Sequence, residues 1–213
     1  SPFAIVGEAF ASRSPNVSVM LTTERLTLRP FRAGDRAAFM ALAGDWSVAR
    51  MTSDIPHPLT EDDARQWLEP SADEARFGLL LSGALIGGAG YFLRPGAAAE
   101  VGFWLGRVHW GRGLATEAVK AVLAHGLADS AIGTFTSSHF TDNPASGRVL
   151  AKLGFEPTGT CRITSTARGE EVAAICYALS RDEAARRLGV AIPPPAQKAS
   201  RIGTLIGRIT GNV

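Results

Sequence analysis

The chain has 213 residues, 46% hydrophobic and 20% charged, with 22 Lys and Arg against 20 Asp and Glu for a net charge of +2. Such a composition can bury a sizeable core, which excludes wholesale disorder, and the length is that of one domain with extras. There is no dense basic stripe, and no apolar run approaches the roughly 20 residues that span a bilayer, so neither a nucleic-acid nor a membrane partner is expected.

Residues 1–19 show no hydrophobic period and are expected to form a leader; their start lacks the charged and long apolar regions of a secretory signal. Arg25 to Phe31 alternates polar and apolar residues, a half-buried strand ending near Pro30. From Asp35, the residues Ala38, Phe39, Leu42 and Ala43 follow helical spacing. A second helix opens at Thr60 with Asp63 three residues on, a capping-box pattern, and stops near Pro70. Phe77–Leu81, Leu85–Leu93 and Glu100–Leu105 are short β-type runs separated by Ser82-Gly83 and Arg94-Pro95-Gly96, which predicts an antiparallel meander.

A glycine-rich turn, Trp110 to Ala115, then leads into a helix with Leu114, Ala118, Val119, Val122, Leu123 and Leu127 on one face. Phe135–Phe140 reads as a strand. Asn143 caps the next helix, Pro144 takes its first position, and Gly154 ends it. Cys161–Ile163 and Val172–Leu179 close the series as a hairpin. The expected fold is α+β: one domain over 20–180, with a mixed, mostly antiparallel sheet flanked by helices. Residues 181–213 hold six basic and two acidic residues, the spacer Pro193-Pro194-Pro195, and Ile202, Leu205, Ile206 and Ile209 at helical spacing. They are expected to be an appendage that docks on the chain's own body or on a second copy in a homodimer, with an anionic-surface anchor as the weaker reading.

Cys161 and Cys176 are too few for a disulfide scaffold. They are expected to be packed thiols in a reducing, cytoplasmic setting, although a turn centred on Arg168-Gly169 would set them face to face and permit a disulfide. His57, His109, His125 and His139 show no ligand spacing, so no metal is expected.

The turn at 110–116 carries the clearest chemistry. Gly111 and Gly113 allow close backbone approach, the free amides of the following helix start point one way, and Arg112 adds a positive charge. This is a pyrophosphate cradle, yet it matches neither the Gly-x-x-x-x-Gly-Lys phosphate loop nor the three-glycine dinucleotide turn.

Residues 22–180 resemble the GNAT superfamily of acyl-coenzyme A-dependent N-acyltransferases, and more narrowly the branch of the ribosomal-protein N-terminal acetyltransferases and their small-molecule relatives. The family pattern Gln/Arg-x-x-Gly-x-Gly/Ala is met by Trp110, Gly113 and Ala115, with an aromatic in first place as is usual for this branch. Asn143 to Phe155 follows the second pattern, Asn-x-x-Ser ahead of Leu-x-Lys-Leu-Gly-Phe, with Ala151 in place of a frequent acid. The resemblance implies acetyl-coenzyme A as co-substrate. Trp110, Gly111, Arg112, Gly113, Leu114, Ala115 and Thr116 would hold its pyrophosphate. Asn143 would meet the pantetheine arm or cap the helix, and Ser146 would donate to the leaving thiolate. The tyrosine that many members carry seven residues after the Asn is Leu150 here, so Ser146 or a water must substitute.

An alkyl ammonium is only about one part in a thousand neutral at pH 7 and must lose a proton before it attacks. Glu100, which alternation places on the same side as Gly102 and Trp104, is the first candidate base, acting through water; His139 is the second. A backbone amide of Val101–Leu105 would polarise the thioester carbonyl. Direct attack needs no enzyme nucleophile. Between Met51 and Arg76, Glu61, Asp62, Asp63, Glu69, Asp73 and Glu74 stand against Arg65 and Arg76, a charge that attracts a cationic amine, and Trp46, Asp54 and His57 are expected at the same mouth. The alternative reading is a coenzyme A-binding regulatory or interaction protein with weak chemistry.

Overall fold

A computed structural model describes residues 19–192. The leader, the proline spacer and the apolar stripe beyond it lie outside the described residues. In chain order the elements are β1 (Leu21–Thr22), β2 (Leu26–Pro30), α1 (Arg36–Ala43), α2 (Trp46–Ala49), α3 (Glu61–Leu68), β3 (Glu74–Leu81), β4 (Ala84–Arg94), β5 (Ala98–Leu105), α4 (Leu114–Leu127), β6 (Thr134–Phe140), α5 (Pro144–Leu153), β7 (Glu156–Ser165), β8 (Glu170–Ser180) and α6 (Arg181–Leu188).

The local signals behave as their chemistry dictates. Thr60 and Asp63 exchange side-chain and backbone hydrogen bonds as a capping box at the start of α3. Asn143 caps α5 with Pro144 in its first turn, and Gly154 ends it in the left-handed conformation at φ +90°.

The strands form one eight-stranded sheet in the order β1-β2-β3-β4-β5-β6-β8-β7. The pairing is antiparallel throughout except between β5 and β6, which run parallel. That parallel pairing covers only Ala98↔Thr134 to Glu100↔Thr136, so the two strands fork beyond Glu100. Alternation along β5 splits the molecule into two layers. Ala99, Val101 and Leu105 join the core beneath α4, α5 and α6. Trp104 joins a second core with Phe39, Val48, Ile55 and Ala64 from the α1–α3 side. There Phe39 stacks on Trp67 at 4.6 Å, and Phe31 and Trp104 meet that pair edge-on.

Packing runs on past residue 180. Ala184 and Ala185 of α6 are core residues, and Leu188, Val190 and Ile192 lie against the same core. Arg181 is 5% exposed and ties α6 to the end of α4: its guanidinium donates to the carbonyls of Leu127 (2.6 Å), Asp129 (2.7 Å) and Ile132 (3.0 Å).

The expectation of two packed thiols is corrected: Cys161 and Cys176 form a disulfide across the β7–β8 hairpin, with Cα atoms 6.4 Å apart. The turn is centred one residue earlier than the sequence suggests, with Ser165 opposite Glu170. Cys161 therefore faces Ala174 and Cys176 faces Gly159, a diagonal rather than a direct pair. The bridge closes a loop of 15 residues. Cys176→Ser is expected to cost up to about 3 kcal/mol under non-reducing conditions. The same fall in melting temperature should follow reduction of the unsubstituted chain; a wild-type melt indifferent to reductant would show that the bridge adds nothing.

Candidate active site

Both strands of the fork lead at their carboxyl ends into helix starts, β5 into α4 through the glycine turn and β6 into α5 through Asn143. In open sheets, that crevice is where ligands collect. The turn is shaped from within: the Trp110 indole N–H donates to the Leu105 carbonyl at 2.7 Å, and Gly111 and Gly113 sit at φ +71° and +77°. Gly113 caps α4, and the first amide to find an intrahelical acceptor is that of Glu117, bonded to the Gly113 carbonyl at 3.1 Å. The amides before it are the orphan donors of a helix start and form the positive end of its dipole. A Cβ at Gly111 would meet nothing within 4 Å, so this side of the turn is open. These features fit a bound pyrophosphate.

Glu117 sits in the first turn of α4. Burial pushes its carboxyl up, but hydrogen bonds from Thr23 and Arg25 outweigh this and hold it below the usual carboxylate range.

At the base of the fork, the Ser137 hydroxyl donates to the Val101 carbonyl at 2.8 Å where strand pairing has ended. On the α5 side, the Ser146 amide donates to Asn143 Oδ1 (3.3 Å), and Asn143 Nδ2 donates to Ser146 Oγ (3.0 Å). Ser146 Oγ thus accepts from Asn143 and keeps its own hydroxyl hydrogen to give. Leu150, in the place of the family tyrosine, is fully buried.

Glu100 lies on the face shared with Gly102 and Trp104, opposite Phe92 of β4 and Thr136 of β6. It is ion-paired with Arg94, whose Nε and Nη2 both reach Oε2, at 2.7 and 2.6 Å. Among the described residues no donor reaches Oε1. Above Gly102 a Cβ would again meet nothing within 4 Å, which leaves the middle of β5 open on this face.

His139 does not join Glu100. Alternation along β6 turns it to the α5 face, where it is buried. Its Nδ1 is 2.7 Å from the Phe140 carbonyl, its Nε2 is 3.2 Å from the Tyr177 hydroxyl, and a Cβ on Gly147 would lie 2.5 Å from Nε2.

The acidic mouth is mostly neutralised from within. Glu61 pairs with Arg36 (2.8 Å), Asp62 with Arg65 (3.2 Å), Glu74 with Arg76, and Asp63 with its own helix start. Asp54 accepts from the Trp67 indole at 2.9 Å. Glu69 and Asp73 keep unengaged carboxylates among the described residues. The Trp46 and His57 rings lie 5.1 Å apart at the α1–α2 corner.

One feature of this face has no sequence signal. The β7–β8 turn is fastened to the chain after α2: Thr166 donates to the Ser53 carbonyl through both its amide (2.9 Å) and its hydroxyl (2.8 Å), and Arg168 Nε donates to the Arg50 carbonyl (2.8 Å). Asp142 bridges Arg50 and Arg168 at 2.8 and 3.0 Å. The Arg168 hydrogen bond holds the Asp142 carboxyl below its ordinary range. Among the described residues no group of three or more His, Cys, Asp or Glu could hold a metal ion.

The sequence model of the acetyltransferase (GNAT) domain matches residues 25–156. The chain belongs to the GNAT family. It is an acetyl-coenzyme A-dependent N-acetyltransferase of that family. The uncharacterized N-acetyltransferase p20 of Bacillus licheniformis is 27% identical over 173 residues, covering 76% of this chain and 97% of that one. Among solved structures, a GNAT acetyltransferase of Bacillus anthracis superposes with a TM-score of 0.68 at 23% identity, over 78% of this chain and 100% of its own. RimL, the ribosomal L7/L12 α-N-protein acetyltransferase in complex with coenzyme A, superposes with a TM-score of 0.67 at 17% identity, over 76% of this chain and 98% of its own. The single α+β domain and the forked mixed sheet are the GNAT fold.

Proposed function

We propose that this GNAT acetyltransferase moves an acetyl group from acetyl-coenzyme A to a primary amine, a protein N-terminus or a small amine, by direct attack within a ternary complex. The observation that carries the reading is the fork beyond Glu100, with two helix starts at its mouth. Residues Trp110 to Thr116 hold the pyrophosphate, and Asn143 with Ser146 meets the pantetheine end. An amide of Val101–Leu105, released from the β6 ladder by the fork, polarises the thioester carbonyl. The amine nitrogen attacks that carbon, and the C–S bond breaks as the tetrahedral intermediate collapses. The Ser146 hydroxyl donates to the departing thiolate, in place of the absent tyrosine.

Glu100 takes the ammonium proton through water at Oε1, while Arg94 holds Oε2. His139 has no part in this scheme. RimL supports the protein N-terminal branch of the reading only by its fold. The co-substrate is an intracellular metabolite, which favours a cytoplasmic setting.

Calorimetric titration with acetyl-coenzyme A tests the reading first. Binding tighter than about 100 µM, near −5.5 kcal/mol, is expected, followed by thiol release with an amine panel. Binding without release to any amine would favour the regulatory alternative. Glu100→Gln is expected to lower kcat about 100-fold at pH 7, with the deficit shrinking as pH rises and the amine loses its proton unaided. Equal rates for variant and wild type across that pH range would remove Glu100 from the mechanism.

A further inference from the structure

A carboxylate in the first turn of α4 is at odds with an anion site there. The same positive helix end attracts both groups, and two negative charges at one helix start repel each other. Glu117 is nevertheless placed there by the chain, and the fold answers it with a residue from the far end of the domain. Arg25, in the corner between β1 and β2, reaches Glu117 Oε2 through Nε (2.7 Å) and Nη2 (2.6 Å), and its own backbone amide donates to Oε1 at 2.8 Å. The Thr23 hydroxyl adds a bond to Oε1 at 2.6 Å. The guanidinium also lies against the cradle itself. Nη1 donates to the Arg112 carbonyl at 3.0 Å, and Nη2 is 3.6 Å from where a Cβ on Gly113 would stand.

We propose that Arg25 is a positioning residue for acetyl-coenzyme A: it cancels the Glu117 charge at the rim of the cradle, so that the helix start presents a net positive end to the pyrophosphate. The proposal rests on the cradle reading above. Neither residue is required to touch the co-substrate. Glu117 serves as the anchor that joins the β1–β2 corner to α4, and Arg25 makes that anchor compatible with an anionic ligand. The separation of 92 residues between the two explains why neither stands out in the linear sequence.

The test is a double-mutant cycle read by calorimetric Kd for acetyl-coenzyme A at low and high salt, with thermal melts of the ligand-free chains alongside. Arg25→Ala is expected to raise Kd about tenfold at low ionic strength, and by less at high salt, because the exposed repulsion is screened. Adding Glu117→Gln should return Kd to within about threefold of wild type, although the double variant loses the same ion pair and melts no higher than the single one. Failure of that rescue, or a penalty independent of salt, would assign Arg25 a purely structural or direct-contact role and overturn the proposal. An Arg25→Ala chain that binds as well as wild type would overturn it while leaving the cradle intact. A wild-type chain that does not bind acetyl-coenzyme A at all would overturn both.

Discussion

Gly113→Glu is expected to abolish acetyl-coenzyme A binding, raising Kd by more than about 100-fold. Two effects act together at this position. Gly113 holds φ +77° as the cap of α4, a left-handed conformation that costs a residue with a Cβ roughly 1–2 kcal/mol. The Cβ itself has room, its nearest neighbour being Arg25 Nη2 at 3.6 Å, so steric exclusion of the side chain is not the cause. The larger effect is charge: a carboxylate at the cap lies among the amides offered to the pyrophosphate and competes with Glu117 for Arg25. Gly113→Ala separates the two, because it keeps the backbone strain and adds no charge, and it should weaken binding by about tenfold or less. Calorimetry on the three chains decides the matter. A glutamate variant that binds as wild type would show the turn to be only a turn.

Arg181→Leu is expected to be the most destabilising single change in the domain outside the apolar cores. The carboxyl end of α4 and the chain that follows present the carbonyls of Leu127, Asp129 and Ile132 to a buried guanidinium; a leucine removes that donor from all three, and only Asp129 keeps a second one, the Ile132 amide at 3.2 Å. Each unsatisfied buried acceptor costs about 1–3 kcal/mol, and partial relief by water brings the total for the Leu127 and Ile132 carbonyls to roughly 2–4 kcal/mol. For a domain of this size that is a fall of roughly 10 °C in melting temperature. Arg181→Lys should lose less, since an ammonium can still serve some of the three. A leucine variant that melts within about 2 °C of wild type would mean that the carbonyls are solvated. Acetyl-coenzyme A affinity should change little in either variant below its melt, because α6 packs against the end of α4 opposite to the cradle.

What the sequence determined by itself is what is settled within a few residues. The Thr60–Asp63 capping box, the Asn143-Pro144 helix start, the Gly154 terminator and the left-handed glycines of the 110–116 turn all satisfy backbone groups within one helical turn, so residue type and spacing suffice to place them. The same holds for the face of β5 shared by Glu100, Gly102 and Trp104, because strand alternation is a local rule. The family resemblance rests on two such local motifs.

Only the tertiary structure decided which distant groups meet. The fork between β5 and β6 exists because their parallel pairing ends at Glu100, a property of two strands 36 residues apart. The register of the β4–β5 hairpin puts Arg94 on Glu100. The β7–β8 register turns a direct cysteine pair into a diagonal disulfide. Packing against α5 buries His139, and the acids between residues 51 and 76 find partners that leave few of them for a substrate. Arg181, which reads as the first residue of a basic tail, is instead a buried helix cap. In each case the outcome depends on ion pairs, hydrogen bonds and burial between segments whose separation along the chain carries no information about their distance in space. Charge and polarity in the sequence announce that a group needs a partner; folding selects which one.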